Sequence, residues 1–307
     1  MTAVETRTAP AASSPWTILR LIQWTSDYLS GKGSSTPRLD AEVLLADLLN
    51  LDRIQLYLNF EKPLQPDELA SFRQKVKRRA ALEPVAYIIG RKEFYGLELR
   101  VGPEVLIPRP ETELLVEETL ALVRGRWPEL VEVDGGLALA DLGAGSGAVA
   151  LALARHMPGA RIYALDVSPQ ALALARANAE RHGLAGRIFF HQGDLFAPLA
   201  GAGLEFQAIA ANLPYVPRPA FRDMPVEVRQ YEPRLSLDGG EDGLAVIQRA
   251  VLEARDHLAA DGALLLEIWP DQAGAIRDLA AGRGYPNVKI VQDLAGRDRV
   301  AILDAKA

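Results

Sequence analysis

The chain has 307 residues, of which 49% are hydrophobic and 24% are charged, and its formal net charge is −6. This length predicts about two globular domains. The absence of cysteine excludes disulfides, thiolate metal sites and a cysteine nucleophile. The negative net charge argues against a general nucleic-acid binder.

No apolar run reaches the roughly 18 residues that a membrane span needs, so we expect no membrane contact. Residues 1–15 are small and polar and lack the apolar core of a signal peptide, which predicts a disordered tail and a cytoplasmic protein. The histidines show no metal-ligand spacing, and we expect no metal site. They are His156, His182, His191 and His257.

Residues 16–85 carry apolar side chains at helical spacing and contain no β-rich run, which predicts a small helical bundle. The last helix of this bundle, predicted at 66–82, has a basic face that continues beyond it. The face is either a surface for RNA or an acidic partner, or an ordinary solvated helix face. Its members are Arg73, Lys75, Lys77, Arg78, Arg79, Arg91 and Lys92.

Residues 86–108 differ in character and predict a β-hairpin that links two domains. Leu97, Leu99 and Val101 alternate with polar residues after a turn at Gly96. Next, two prolines bracket Arg109 at a helix start, which makes the segment stiff. This position of Arg109 suits either a contact with the substrate or a structural salt bridge.

Residues 109–307 alternate strands and helices, which predicts an α/β domain with a doubly wound, seven-stranded, mostly parallel sheet. The last two strands have only the short connection 293–299 between them, so the final strand should be antiparallel. Helices are predicted at 146–156, 169–182, 243–259 and 270–281. The predicted strands are Leu137–Leu142, Arg161–Asp166, Ile188–Gln192, Phe206–Ala211, Ala263–Ile268, Val288–Val291 and Val300–Leu303.

The ends of the first three of these strands predict a cofactor site. A glycine-rich loop follows the first strand, where glycines let the backbone approach a ligand at a helix N-terminus. Asp166, at the end of the second strand, could bind ribose hydroxyls. Asp194, after the third, could accept from an adenine amine, with Leu195 or Phe196 against the ring. Either carboxylate could instead be a plain cap or turn residue. The loop residues are Gly143, Ala144, Gly145, Ser146 and Gly147.

The fourth strand ends in Asn212-Leu213-Pro214-Tyr215, which we predict to be the catalytic and substrate-binding segment, with Asn212 also in the cofactor site. Asn212 offers a side-chain oxygen acceptor. Leu213 precedes a proline and is extended, which leaves its carbonyl available. Tyr215 could stack on a planar group, so the segment suits an NH2 group on a flat π system. By itself the same tetrapeptide could be an ordinary strand-to-loop turn.

This order of motifs resembles the class I S-adenosylmethionine-dependent methyltransferases. Longer segments are similar to the release factor glutamine methyltransferases, the PrmC/HemK family, over almost everything from about residue 16. The similar segments are 87–90, 93–96, Leu106 to Glu113, Tyr231 to Arg234, Gly239 to Leu244 and Asp293 to Val300.

The resemblance implies methyl transfer from S-adenosyl-L-methionine to the Gly-Gly-Gln glutamine of class I peptide chain release factors. S-adenosyl-L-homocysteine would be the product. The helical bundle would then help to recognise the protein substrate, with Arg109 near the substrate mouth. We expect a monomer that has no direct contact with nucleic acid.

Leu213 departs from the Asn-Pro-Pro-Tyr that is usual in this family. Asn-Leu-Pro-Tyr also resembles the ribosomal RNA adenine-N6 dimethyltransferases, which makes an RNA adenine the alternative substrate. Leucine keeps the backbone carbonyl, so we expect the loss of proline to cost only stiffness. A non-catalytic scaffold and a nicotinamide oxidoreductase, the latter suggested by the glycine spacing alone, are further alternatives.

We expect the reaction to need no general base. Asn212 and the Leu213 carbonyl would accept the two N–H bonds of the amide. Developing positive charge on nitrogen would strengthen both hydrogen bonds in the transition state. Tyr215 would stack on the amide, and the lost proton would leave to water.

Overall fold

A computed structural model describes residues 15–305, and its contacts divide this part of the chain between Ile89 and Gly90. The predicted tail, residues 1–15, lies outside the described residues except for Pro15. Each of the two units contains its own hydrophobic core.

The first unit is a helical bundle, as predicted. Its core is built from buried aliphatic side chains and Phe72. The end of the bundle differs from the prediction. Residue 85 was expected to end the bundle and residue 86 to begin the hairpin linker, but residues 85–89 form one further helix. Tyr87 and Ile88 are buried there on a short helix after Pro84. The helices are α1 Ile18–Ser30, α2 Pro37–Leu49, α3 Arg53–Leu58, α4 Pro66–Ala80 and α5 Val85–Ile89.

The basic face of α4 is largely used inside the unit. Arg79 is buried and donates to Asp40 at 2.6 Å. Lys75 donates to Asp47 at 2.8 Å, and Arg78 pairs with Glu83. These partners favour a structural role for the three side chains over an RNA-binding face.

The predicted hairpin forms from β1 Arg91–Phe94 and β2 Leu97–Arg100. Its apolar side chains are buried in the core of the second unit, with Phe94 only 1% exposed. The hairpin is therefore part of that unit, and the structural division at Ile89 differs from the predicted linker at 86–108.

The rest of the second unit is a seven-stranded sheet with helices on both faces. Five neighbouring strands run in parallel in the order β5-β4-β3-β6-β7, and the sheet continues as β9-β8. The strands are β3 Leu137–Leu142, β4 Ala160–Asp166, β5 Ile188–Gln192, β6 Phe206–Ala211, β7 Leu258–Glu267, β8 Asn287–Gln292 and β9 Asp298–Asp304. The helices are α6 Glu111–Arg126, α7 Ala148–His156, α8 Pro169–Arg181, α9 Val226–Tyr231, α10 Ala245–Ala254 and α11 Ala273–Ala281.

The predicted antiparallel final strand is confirmed, because β9 lies antiparallel between β7 and β8. One boundary was wrong. The helix predicted at 243–259 ends at Ala254, and β7 begins at Leu258, which pairs with Phe206. Leu258 is apolar enough to fit either pattern, and its pairing with Phe206 places it in the strand.

This topology brings the carboxyl ends of β3, β4, β5 and β6 to one edge of the sheet. The loops that carry the predicted motifs leave the sheet there. Among residues 15–305, no helix is long and apolar enough to cross a bilayer.

Candidate active site

A cavity of about 440 Å³ opens at this edge of the sheet. The glycine loop, the ends of β4 and β5, and the start of the tetrapeptide line one continuous space. The segment before α6 and the loop before α10 close its remaining sides. Its lining includes Leu106, Pro108, Thr112, Gly143, Ala144, Gly145, Ser146, Leu165, Asp166, Asp194, Leu195, Asn212, Leu213, Pro214, Leu235, Val246 and Arg249.

The glycine loop is tied to the strand beside it by backbone hydrogen bonds. The amides of Gly143 and Ala144 both donate to the Leu165 carbonyl, at 2.8 and 3.0 Å. Gly143 has φ +74, and a Cβ there would lie 3.3 Å from the Asn212 carbonyl oxygen. A glycine at this position therefore allows the loop and the tetrapeptide to approach each other closely.

Gly147, a predicted cofactor residue, is absent from the cavity lining among the described residues. It has φ +81, and a Cβ there would meet the Leu151 side chain at 2.6 Å and Ala175 at 3.1 Å. Its lack of a side chain therefore serves the packing of α7 and α8.

Asp166 lines the cavity, where the sequence placed it. Its carboxylate accepts from the amides of Gly145 and Ser168, each at 2.8 Å. Burial raises the pKa of Asp166, and hydrogen bonds from backbone amides oppose that shift. The carboxylate therefore holds the glycine loop in shape as well as facing the cavity.

Asp194 also lines the cavity, but it has a partner that the sequence did not suggest. It accepts from Arg249 of α10 at 2.8 Å, and its side chain is 57% exposed. Leu195 is buried with φ +47. A contact between Asp194 and an adenine amine stays a prediction, with Arg249 now beside it.

Asp141, the penultimate residue of β3, is a buried carboxyl in the cavity lining that sequence reasoning passed over. Burial raises its pKa to about 7, while the Ala150 amide, which donates at 2.9 Å, opposes the shift. Asp141 precedes the glycine loop by two residues, and its carboxyl is bound to the start of α7 through the Ala150 amide.

Three of the four tetrapeptide residues line the cavity: Asn212, Leu213 and Pro214. The Asn212 side-chain amide donates to the Thr112 hydroxyl at 3.1 Å. Leu213 is only 4% exposed and packs in the core. The expectation that leucine costs only stiffness was incomplete, because its side chain fills buried space.

Tyr215 does not line the cavity among the described residues. Its hydroxyl donates to Glu267 Oε1 at 2.7 Å, and its ring lies 6.2 Å from that of Trp269. The Gln272 side chain donates to its carbonyl at 3.2 Å, and Gly243 approaches the same oxygen too closely for any side chain. Stacking of Tyr215 on a substrate amide stays a prediction.

Arg109 is paired with the buried carboxylate of Glu232, which also accepts from the Ile107 amide at 3.2 Å. These contacts connect the segment before α6 to the loop after α9. The salt bridge that was one of the two interpretations of Arg109 is present. Its side chain is still 30% exposed.

Besides Asp141, three contributors to the site went unnoticed in the sequence: Thr112, Arg249 and Glu267. Thr112 lies in a long motif whose members could not be ranked from the sequence. Arg249 had no signal, since it is an exposed residue on a helix. Glu267 had one, because it is an acid that ends the buried apolar half of strand β7.

Comparisons with known proteins agree with this architecture. Residues 20–90 match the family model of the PrmC N-terminal domain, and residues 139–231 match that of a methyltransferase domain. A release factor glutamine methyltransferase of Geobacter sulfurreducens is 43% identical over 285 residues, which are 93% of this chain and 95% of that protein. The chain belongs to the release factor glutamine methyltransferases.

The same family name is carried by a Moorella thermoacetica protein that is 44% identical over 272 residues, 88% of this chain and 92% of that protein. A crystal structure of a methyltransferase from Pyrococcus furiosus has a TM-score of 0.50 at 18% identity and covers 76% of this chain and 98% of that one. This structure supports the fold alone. The resemblance to the family and the predicted fold class are thus confirmed.

Proposed function

We propose that this chain transfers a methyl group from S-adenosyl-L-methionine to the side-chain nitrogen of a glutamine in a protein. One observation carries the proposal: Asn212 to Pro214 line the same cavity as the glycine loop and Asp166. A methyl donor held by the loop would therefore face the acceptors of the tetrapeptide.

The lining of the cavity fits the proposed cofactor. Loop backbone at a helix N-terminus suits the charged amino-acid end, and the Asp166 carboxylate suits ribose hydroxyls. Apolar side chains, including Leu165, Leu195 and Val246, suit a flat adenine ring. When bound, S-adenosylmethionine supplies an electrophilic methyl group, and S-adenosylhomocysteine remains after transfer.

The chain's own residues would bind and orient the acceptor amide. The Asn212 side-chain oxygen and the Leu213 carbonyl would each accept one N–H bond. These hydrogen bonds strengthen as positive charge develops on the nitrogen, which is preorganised electrostatic stabilisation. An amide is too weakly acidic for prior deprotonation, so no general base is required and the excess proton leaves to water.

The proposed substrate is the Gly-Gly-Gln glutamine of class I peptide chain release factors. The name shared by relatives over nearly the whole chain supports this choice. Arg109 would contact the substrate at the mouth of the cavity, and its partial exposure beside Glu232 supports this role.

The test is methyl transfer from labelled S-adenosylmethionine to a purified release factor, compared with the factor carrying a Gln-to-Ala change in Gly-Gly-Gln. We expect label on the unaltered factor alone. Ribosomal RNA is included as a second acceptor. Label on RNA with none on either factor would overturn the proposal in favour of adenine methylation.

A further inference from the structure

Two buried polar side chains from distant parts of the chain lie behind the tetrapeptide. We propose that Thr112 and Glu267 are positioning residues that fix the Asn212 amide with its oxygen toward the substrate. The inference rests on the proposed function and deepens it. It also gives a chemical role to part of the Ile-Pro-Arg-Pro-Glu-Thr-Glu segment.

Thr112 contacts the catalytic asparagine directly. It is the second residue of α6 and only 3% exposed, and its hydroxyl oxygen accepts from Asn212 Nδ2 at 3.1 Å across 100 residues of sequence. An asparagine amide has one donating end and one accepting end. Because Thr112 binds the donating end, the carbonyl oxygen is the end left to face a substrate amide.

Thr112 by itself would not decide this orientation, since a hydroxyl can either accept or donate. A flipped Asn212 could take the hydroxyl proton on its oxygen and present NH2 to the substrate. That arrangement would oppose two donors to each other and would not bind an amide NH2. The Thr112 hydroxyl must therefore donate its proton to a hydrogen-bond acceptor other than Asn212.

Glu267 is placed to do so. It ends β7, whose Leu266 pairs with Ala211, the residue before Asn212. Glu267 is 1% exposed, and this burial raises the pKa of its carboxyl. Hydrogen bonds from the hydroxyls of Thr112 and Tyr215 lower the pKa and so oppose the effect of burial. Oε2 has no partner of regular hydrogen-bond geometry among the described residues, so the carboxyl retains acceptor capacity for the Thr112 proton.

The same carboxyl holds the other end of the tetrapeptide, because Oε1 accepts from the Tyr215 hydroxyl at 2.7 Å. A buried carboxyl is costly unless its oxygens are used. Arg299, also buried, contributes a positive charge nearby. One acidic side chain therefore orients both Asn212, through Thr112, and Tyr215.

The test compares Thr112→Val, which keeps the shape of the side chain but removes the hydroxyl, with Thr112→Ser, which keeps the hydroxyl. We expect kcat for release factor methylation to fall about tenfold in Thr112→Val, on the scale of one lost hydrogen bond. Thr112→Ser should remain within about threefold of the wild type. The Kd for S-adenosylmethionine and the Tm should be unchanged in both.

A double-mutant cycle separates positioning from a general structural effect. In an Asn212→Ala background, Thr112→Val should cause no further loss of kcat, because the group it orients is gone. A full tenfold loss in that background would overturn the proposal. So would wild-type turnover in Thr112→Val.

Glu267→Gln provides a second route if Thr112→Val lowers the Tm. This near-isosteric change should lower kcat, and combining it with Thr112→Val should cost no more than the larger single effect. Additive losses would contradict the shared role. If the wild-type protein labels no release factor, the proposed function itself fails, which is distinct from either result.

Discussion

The two walls of the cavity are held in place by different means. The cofactor wall, Gly143–Ser146 with Asp166, is fixed by backbone amides, and its longest tie, from the Gly143 amide to the Leu165 carbonyl, spans 22 residues. The substrate wall, Asn212–Pro214, and the adjoining Tyr215 are fixed by side chains from segments 100, 52 and 57 residues away. The first wall is thus a local product of strand, turn and helix, whereas the second needs the whole domain to be assembled.

This difference predicts that changes in the substrate wall affect turnover, while changes in the cofactor wall affect cofactor affinity. The largest effect should come from Asn212→Ala, which removes one acceptor of the proposed amide site. We expect kcat to fall about 10²–10³-fold, with the Kd for S-adenosylmethionine nearly intact. Single-turnover methylation and calorimetric titration measure the two quantities, and unchanged turnover would contradict the mechanism.

On the other wall, Asp166→Asn should weaken S-adenosylmethionine binding about 10–100-fold, the scale of hydrogen bonds to a charged group. An amide oxygen can still accept from Gly145, so the loop should persist. Turnover at saturating cofactor should stay near that of the wild type. If kcat at saturating cofactor fell while the Kd for S-adenosylmethionine stayed the same, the proposed separation of cofactor affinity from turnover would be wrong.

Asp141 also lines the cavity, and its ionisation should make the stability of the protein depend on pH. Its pKa is raised from 3.8 to about 7 because it is buried, so folding favours the protonated form. The stability it contributes is therefore complete below about pH 4 and is lost as the pH rises through about 7.

Asp141→Asn cannot ionise. As the pH rises from 4 to 7, the free energy of unfolding of Asp141→Asn should increase relative to that of the wild type by about 4 kcal/mol, and the difference should then level off. Urea titrations across this range measure the difference. The exposed Asp134→Asn is the matched control, and parallel curves for Asp141→Asn and the wild type would contradict the assignment.

The smallest effect is expected from Leu213→Pro, which restores the usual tetrapeptide. The backbone carbonyl is kept, so kcat should stay within about threefold of the wild type. The buried leucine side chain is partly lost, which should lower stability by about 1–2 kcal/mol. Thermal unfolding and turnover assays measure both, and a rise in kcat above tenfold would show that stiffness matters here.

The contrast between the walls also explains what the sequence could predict. Strands β3, β5 and β6 have their predicted bounds, because buried parallel strands are short apolar runs between turn signals. The glycine loop and Asp166 follow from the rule that ligands bind at the carboxyl ends of such strands. Each of these residues stands at the end of its own strand in the sequence, and neighbouring parallel strands bring those ends together.

The supports of the substrate wall could not be derived in this way. Nothing near Asn212 in the sequence indicates Thr112 as its partner, and Tyr215 was expected at the ligand rather than against Glu267. Gly147 was likewise assigned to the cofactor, although its neighbours show a packing role. Side-chain partners across a sheet depend on register, which becomes known only with the structure.

Gly143 of the cofactor wall lies close to the Asn212 carbonyl of the substrate wall, so the two walls are in contact at this point. We expect a ligand that displaces the glycine loop to move the start of the tetrapeptide as well, which would link donor binding to acceptor binding. Linkage is reciprocal. By whatever factor a bound methyl donor changes the affinity for the acceptor protein, the acceptor protein must change the affinity for the donor by the same factor.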